Sequence, residues 1–352
     1  MWFNEDDIPT HKLIKDTRLH GYVLPHASTK YCGHIIGHTL RFVPAKKITN
    51  VIVLYYPSGT EFDVNDRFYH ELYVPAMSIQ YMIHKVWKLK YKIKYRAINV
   101  RDSKADISKY QLSDTIFIIS ADFTHFLPLQ EAINVENCAA TSLSFKDFDQ
   151  PCLKYIDTLK TFMYLNSYQP LLNFDWIGRT RSAGLKGVGY LTFLIHSPLT
   201  NIKTPHGFFV TIYDENMRAR ECLGKWSWSK AEEKSLIAVS AELAATTSRL
   251  TGGKFLYVPP SWYTITYLYE TKDKHIIRGV HGILKEAFYL PTVFLEHVYD
   301  NGVWMTDDDK EWPQGVVFDM TQTLEMLKRK SGSTIDTKEF KLYVALYTYH
   351  KL

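Results

Sequence analysis

The run Asp114-Thr115-Ile116-Phe117-Ile118-Ile119 constrains this chain most, because its apolar residues would face both sides of a strand. A strand of that kind needs a covering layer above and below. Parallel α/β sheets supply both layers, whereas a sheet with one wet face does not. Val51-Ile52-Val53-Leu54-Tyr55-Tyr56 has the same character, and Gly187 to Ile195 reads as a third strand. Glu71 to Trp87 and Lys154 to Tyr164 carry helical spacing of apolar residues between these runs. The expected first half is therefore α/β, a central sheet flanked by helices. Sites in such folds form beyond the carboxyl ends of buried strands. Ser120-Ala121-Asp122-Phe123-Thr124-His125-Phe126 follows one such strand directly. Far upstream, Pro25-His26-Ala27-Ser28 and Tyr31-Cys32-Gly33 put another histidine in a loop after strand-type residues. His26, Asp122 and His125 are the candidate site, suited to metal binding or acid–base work.

At 352 residues the chain is long for one core and suggests two domains. Ser197-Pro198-Leu199-Thr200-Asn201-Ile202-Lys203-Thr204-Pro205 is the best candidate linker, which sets domains at 1–196 and 207–352 around a 197–206 connection. Beyond it the pattern becomes α+β: Gly207 to Tyr213 is strand-like, and Lys230 to Arg249 reads as a helix. Trp262 to Glu270 alternates as a strand, Phe318 to Lys330 is helical, and Phe340 to Tyr349 closes as a strand. The longest apolar runs fall far short of a membrane span. The polar, acidic start Met1-Trp2-Phe3-Asn4-Glu5-Asp6-Asp7 does not resemble a signal peptide. Cys32, Cys138, Cys152 and Cys222 show no paired spacing, so reduced thiols and a cytoplasmic setting are expected.

The net charge is +5, and its densest patch runs from Lys85 to Arg101. Interleaved Trp87, Tyr91 and Tyr95 would allow phosphate and stacking contacts to nucleic acid. A solvated helix end followed by an exposed, lysine-protected edge strand is the preferred reading, so nucleic acid is not the expected partner. His34 and His38 would share a helical face, but no glutamate follows the first as in a zinc-protease helix. Gly184 to Gly189 precedes a strand and fails the test for a dinucleotide loop. The 24 Tyr, 19 Phe and 8 Trp fill cores and favour protein contacts, which makes a protein partner the expected one and a scaffold role an alternative.

Residues from about 15 to 196 resemble the Memo family, whose fold is that of LigB-type extradiol dioxygenases. The resemblance rests on Pro25-His26-Ala27, Tyr31-Cys32-Gly33, Pro57-Ser58, Glu71…Pro75, Ser120 to His125, and Gly189-Tyr190-Leu191-Thr192. Residues from about 203 to 352 resemble the AMMECR domain through Gly207-Phe208-Phe209-Val210-Thr211, Arg220-Glu221-Cys222-Leu223-Gly224, Ala244-Ala245 with Arg249, Gly279-Val280-His281-Gly282-Ile283 and Leu290-Pro291-Thr292-Val293. The two families occur together in the AmmeMemoRadiSam grouping; a radical-SAM cysteine motif is absent from this chain.

The resemblance implies one divalent or redox metal (iron, copper or zinc) held in the first half by histidines and a cysteine. His26 matches the first ligand loop, and Cys32, Ser58 and Glu71 fall in its pocket. Two histidines and a carboxylate also match the facial set of iron(II) enzymes or a zinc site with bound water. Gly59 and Thr60 stand where the family has histidines, Ser28 replaces a glycine, and Arg67-Phe68-Tyr69 replaces a Glu-His-Ser triplet. A degenerate pocket that binds a small molecule or a protein without turnover is the leading expectation. A metal-dependent redox or oxygenase-like enzyme is the alternative. In the second half Arg220, Glu221, Cys222 and Gly224 carry the signature, with Glu221 in place of its first glycine, and His281 sits in a tight turn. Cys222 reads as a nucleophile beside a cation or as a small strand side chain, the second being preferred.

Overall fold

The computed structural model describes residues 2–11, 13–56, 70–156, 158–182, 187–198, 204–225, 227–246, 259–271, 293–294 and 341–352. Ser58, His281, the expected helix Phe318 to Lys330 and residues 199–203 of the connection lie outside them. The molecule is a mixed α/β protein that divides into two compact units at Pro198.

The first unit opens with β1 (Ile14–Asp16), β2 (Leu19–Leu24), α1 (Thr29–Leu40), β3 (Phe42–Pro44) and β4 (Asn50–Tyr55). It continues through α2 (His70–Tyr81), which ends in a π turn at Met82–Val86, then β5 (Lys94–Asn99) and β6 (Thr115–Ser120). Next come α3 (Leu129–Phe145), a 3₁₀ turn at Pro151–Tyr155, α4 (Leu159–Tyr168), β7 (Asn173–Arg181) and β8 (Gly189–His196). Six strands form one sheet in the order β5-β4-β6-β2-β8-β7, with β1 and β3 as a separate parallel pair. β5, β4, β6 and β2 are mutually parallel, and β8 runs antiparallel to both β2 and β7.

The alternation of side chains along each strand builds two cores. Tyr22, Leu24, Val51, Val53, Ile116, Ile118 and Tyr190 face α1 and α2, which contribute Cys32, Ile36, Val74 and Ile79. Val23, Ile52, Leu54, Phe117, Ile119 and Phe193 face α3 and α4, which contribute Leu143, Phe162 and Leu165. The doubly apolar strands are thus covered on both faces. The helical run expected over Lys154 to Tyr164 is broken instead. Ile156 is extended and buried against the second core, so the chain leaves the 3₁₀ turn before α4 begins.

The second unit contains β9 (Gly207–Asp214), β10 (Ala219–Lys225), α5 (Lys230–Thr246), β11 (Pro260–Thr271), β12 (Val293–Phe294) and β13 (Lys341–Lys351). Its sheet runs β10-β9-β11-β13-β12. Phe208, Val210, Ile212, Ile265 and Tyr267 form its core with Ala244 of α5. Two of the four cysteines depart from the expectation of reduced thiols. Cys138 of α3 and Cys152 of the 3₁₀ turn form a disulfide, because α3 and that turn pack together. Among the described residues, no helix is long and apolar enough to cross a membrane.

Candidate functional site

β2 and β6 are adjacent and parallel, yet the helix after β2 lies on one face of the sheet and the helix after β6 on the other. Neighbouring strands whose connections leave on opposite faces open a crevice between their carboxyl ends, the place where α/β folds bind ligands. His26 lies two residues past β2, and Asp122 lies two residues past β6. Both are about 95 % buried, with 5 % exposure each.

The two side chains are locked by a chain of hydrogen bonds. The His26 backbone N–H donates to Asp122 Oδ1 at 2.9 Å, which ties the two loops together. The Ser120 hydroxyl donates to the Glu71 carbonyl. Having spent its single proton there, Ser120 Oγ can only accept from His26 Nδ1, 3.0 Å away. Nδ1 therefore carries a hydrogen, and Nε2 is the nitrogen turned toward Asp122 Oδ2 at 3.6 Å. That separation exceeds a hydrogen bond.

Cys32 and Tyr190 border the pair. The Cys32 thiol is directed at the Ala27 and Ser28 carbonyls, 3.3 and 3.5 Å away. Burial, followed by the charges of Asp122 and Asp7, pushes its pKa well above the usual thiol value. A protonated thiol is a poor nucleophile. Burial likewise raises the Tyr190 phenol, with Asp122 and Cys32 adding to the effect. The pocket therefore offers a histidine, a carboxylate and neutral hydroxyl and thiol groups.

His125 is half-buried and bridges Val188 in the strip where Phe123 and Phe126 hydrogen-bond to the Gly189 and Gly187 carbonyls. Among the described residues, no group of three or more His, Cys, Asp or Glu side chains is gathered to hold a metal ion. His26 Nε2 and Asp122 Oδ2 are, among the described residues, the donors that face each other there. Glu71 is buried and meets the pair through its backbone carbonyl. His34 bonds Thr180 Oγ1 at 2.9 Å and His38 stands edge-on to His11, so both α1 histidines have partners outside the crevice.

An ionic cluster from α3 and β7 backs the Asp122–His125 loop. Glu136 of α3 is 1 % exposed and accepts from the Thr124 hydroxyl. Arg179 Nε and Arg181 Nη1 of β7 approach it at 3.7 and 3.8 Å. A Cβ at residue 189 would lie 1.8 Å from Glu136 Oε1 and 2.6 Å from Thr124 Oγ1, so glycine is required there by space. This cluster holds the Asp122–His125 loop against β8.

In the second unit the signature residues have packing roles. Gly224 leaves room for the Phe209 ring, whose Cδ1 would lie 2.1 Å from an added Cβ. Arg220 Nη1 pairs with the buried Asp214 at 3.9 Å. Glu221 sits in extended backbone at a bulge of β10, where its carboxylate accepts the Cys222 N–H at 3.1 Å. No positive φ is demanded of it. Cys222 is half-buried in the strand and accepts from Thr211 Oγ1 at 3.3 Å. No known family model matches this chain, and no curated protein does.

Proposed function

We propose that this chain is a Memo–AMMECR fusion whose first unit, a LigB-like fold, is a binding module for a small molecule or a protein segment and has no turnover of its own. The observation that carries the reading is the His26–Asp122 pair at the crevice between β2 and β6. There, His26 Nε2 and Asp122 Oδ2 offer one nitrogen and one carboxylate oxygen to a ligand with complementary polar groups. The buried pair, bordered by a protonated thiol and a phenol, supports the binding of a polar ligand. The His125 side of the loop shapes the rim, and the AMMECR-like unit is its companion domain.

Metal content by mass spectrometry tests this on full-length protein purified without chelator, beside a His26→Ala/His125→Ala double variant. Traces of metal, equal in both proteins, are expected. Stoichiometric iron, copper or zinc that disappears in the double variant would overturn the reading and establish the metal-dependent alternative.

A further inference from the structure

β5 is an edge strand of the six-stranded sheet. Its Lys94 and Val100 donate their N–H groups to Thr49 and Tyr55 carbonyls at 2.9 and 3.1 Å. By the two-residue period of a strand, the N–H and C=O groups of Tyr95 and Ala97 point away from β4. Among the described residues no strand pairs with them. A cleft of about 410 Å³ follows this edge, walled by Arg96 to Asn99 on one side and by the 102–110 loop on the other. Ala97 and Arg96 are exposed along it.

Three cations and two carboxylates line this cleft, a small net positive charge. Asp102 and Asp106 line it, but Asp102 accepts the Lys104 N–H at 2.9 Å and Asp106 accepts the Ser108 N–H and hydroxyl at 2.8 and 3.1 Å. Those carboxylates fold their own loop. Arg96, Lys104 and Lys109 outnumber them, and the lysines that precede the strand add to the positive side. The aromatics of the basic run face inward. Trp87 is buried with its indole N–H on the Leu40 carbonyl, while Tyr91 and Tyr95 pack on the core and bond Ile48 N–H and His84. Stacking platforms for bases are therefore missing from this run. What remains, among the described residues, is an unpaired row of backbone groups beside a net positive surface, which suits strand addition.

We propose that the β5 edge and its cleft dock an extended acidic peptide segment. The segment adds to the sheet as a further strand beside β5, bonding Tyr95 and Ala97 through its backbone and Arg96, Lys104 and Lys109 through its carboxylates. This surface is separate from the His26–Asp122 crevice, and its fate is independent of that reading.

The probe is a short fluorescein-labelled peptide alternating Val and Glu, titrated with the full chain at low salt and read by anisotropy. Saturable binding is expected. It should weaken by about tenfold when amides along one edge of the peptide are N-methylated, the equivalent of one or two backbone hydrogen bonds. A similar loss is expected when Lys replaces Glu, and in an Arg96→Glu/Lys104→Glu variant. Because N-methylation leaves the protein unchanged, it remains informative even if the double variant misfolds. Three results would each overturn the proposal: no binding of the Val–Glu peptide, equal binding of its N-methylated form, or tighter binding of oligothymidylate that displaces the peptide.

Discussion

Removing His196 should expose how much of the first unit depends on one buried cation. His196 ends β8 with 2 % exposure, its Nδ1 2.5 Å from Asp175 Oδ2 and its Nε2 3.0 Å from Asp16 Oδ2. Two carboxylates at hydrogen-bond distance require both ring nitrogens to carry protons, so the ring is an imidazolium. Burial opposes that charge, but the hydrogen bonds and charges of Asp16 and Asp175 outweigh it and raise the His196 pKa. Burial would raise Asp16 too; the His196 hydrogen bond and charge overcome it and bring the carboxyl down to about 2. The Asp16 shift contributes roughly 2 kcal/mol, present above its unfolded pKa near 4 and lost as pH falls through about 2. The His196 contribution is complete below its unfolded pKa near 6.5 and is lost as pH rises through the higher folded value. Both act together between about pH 4 and 6.5. His196→Ala leaves two buried carboxylates facing each other, a loss of about 3–5 kcal/mol in that window. Against a typical domain stability of about 5–15 kcal/mol, that is a third or more. Hydrogen exchange of peptides from Asn173–His196 in increasing urea reads this locally. The gap between wild type and variant should be widest near pH 5.5 and narrow toward both pH 2 and strongly alkaline pH. A gap that is flat with pH, or below about 1 kcal/mol at pH 5.5, would refute the imidazolium assignment.

Two further substitutions probe the same unit. Glu136→Ala removes the carboxylate beside Arg179 and Arg181, leaving them neutral acceptors such as Asn137 Oδ1 and the Leu127 and Gly187 carbonyls, and should cost about 3–5 kcal/mol by the same exchange measurement; a loss under about 1 kcal/mol would mean that the ion pairs add little to those neutral bonds. Cys152→Ser opens a cross-link between residues 14 apart and should cost about 3 kcal/mol in urea denaturation. Thiol titration of the denatured, unreduced chain should find only Cys32 and Cys222 reactive, and four reactive thiols would remove the disulfide from the account.

The strands most visible in the sequence are those whose apolar pattern is doubled. Ile116 and Ile118 meet α1 and α2 while Phe117 and Ile119 meet α3 and α4, so burial on both faces wrote an uninterrupted run. β7 was invisible for the opposite reason. Asp175, Arg179 and Arg181 are charged residues in a buried strand, and each is compensated by a partner at least 21 residues away in sequence. Local periodicity carries no information about such pairs. The Cys138–Cys152 bridge escaped in the same way, since it depends on how α3 meets the following turn and not on any spacing motif. The basic run from Lys85 onward was readable because an exposed edge leaves its protection in the local sequence.

Strand ends told where the crevice lies, and distant contacts decide what it can do. His26 and Asp122 were visible because each follows a buried strand, whereas the proton on His26 Nδ1 depends on Ser120 Oγ, which in turn depends on the Glu71 carbonyl. That relay consumes one imidazole nitrogen and one hydroxyl before any ligand arrives. Cys32 has the residue type of a nucleophile and the burial of a core side chain, and burial prevails. The chemistry left over is that of Nε2 facing a single carboxylate oxygen at 3.6 Å. Such a pair can present a nitrogen and a carboxylate oxygen to one end of a polar ligand. The neighbouring thiol and phenol, whose pKa values burial raises, add neutral hydrogen-bonding groups beside that pair.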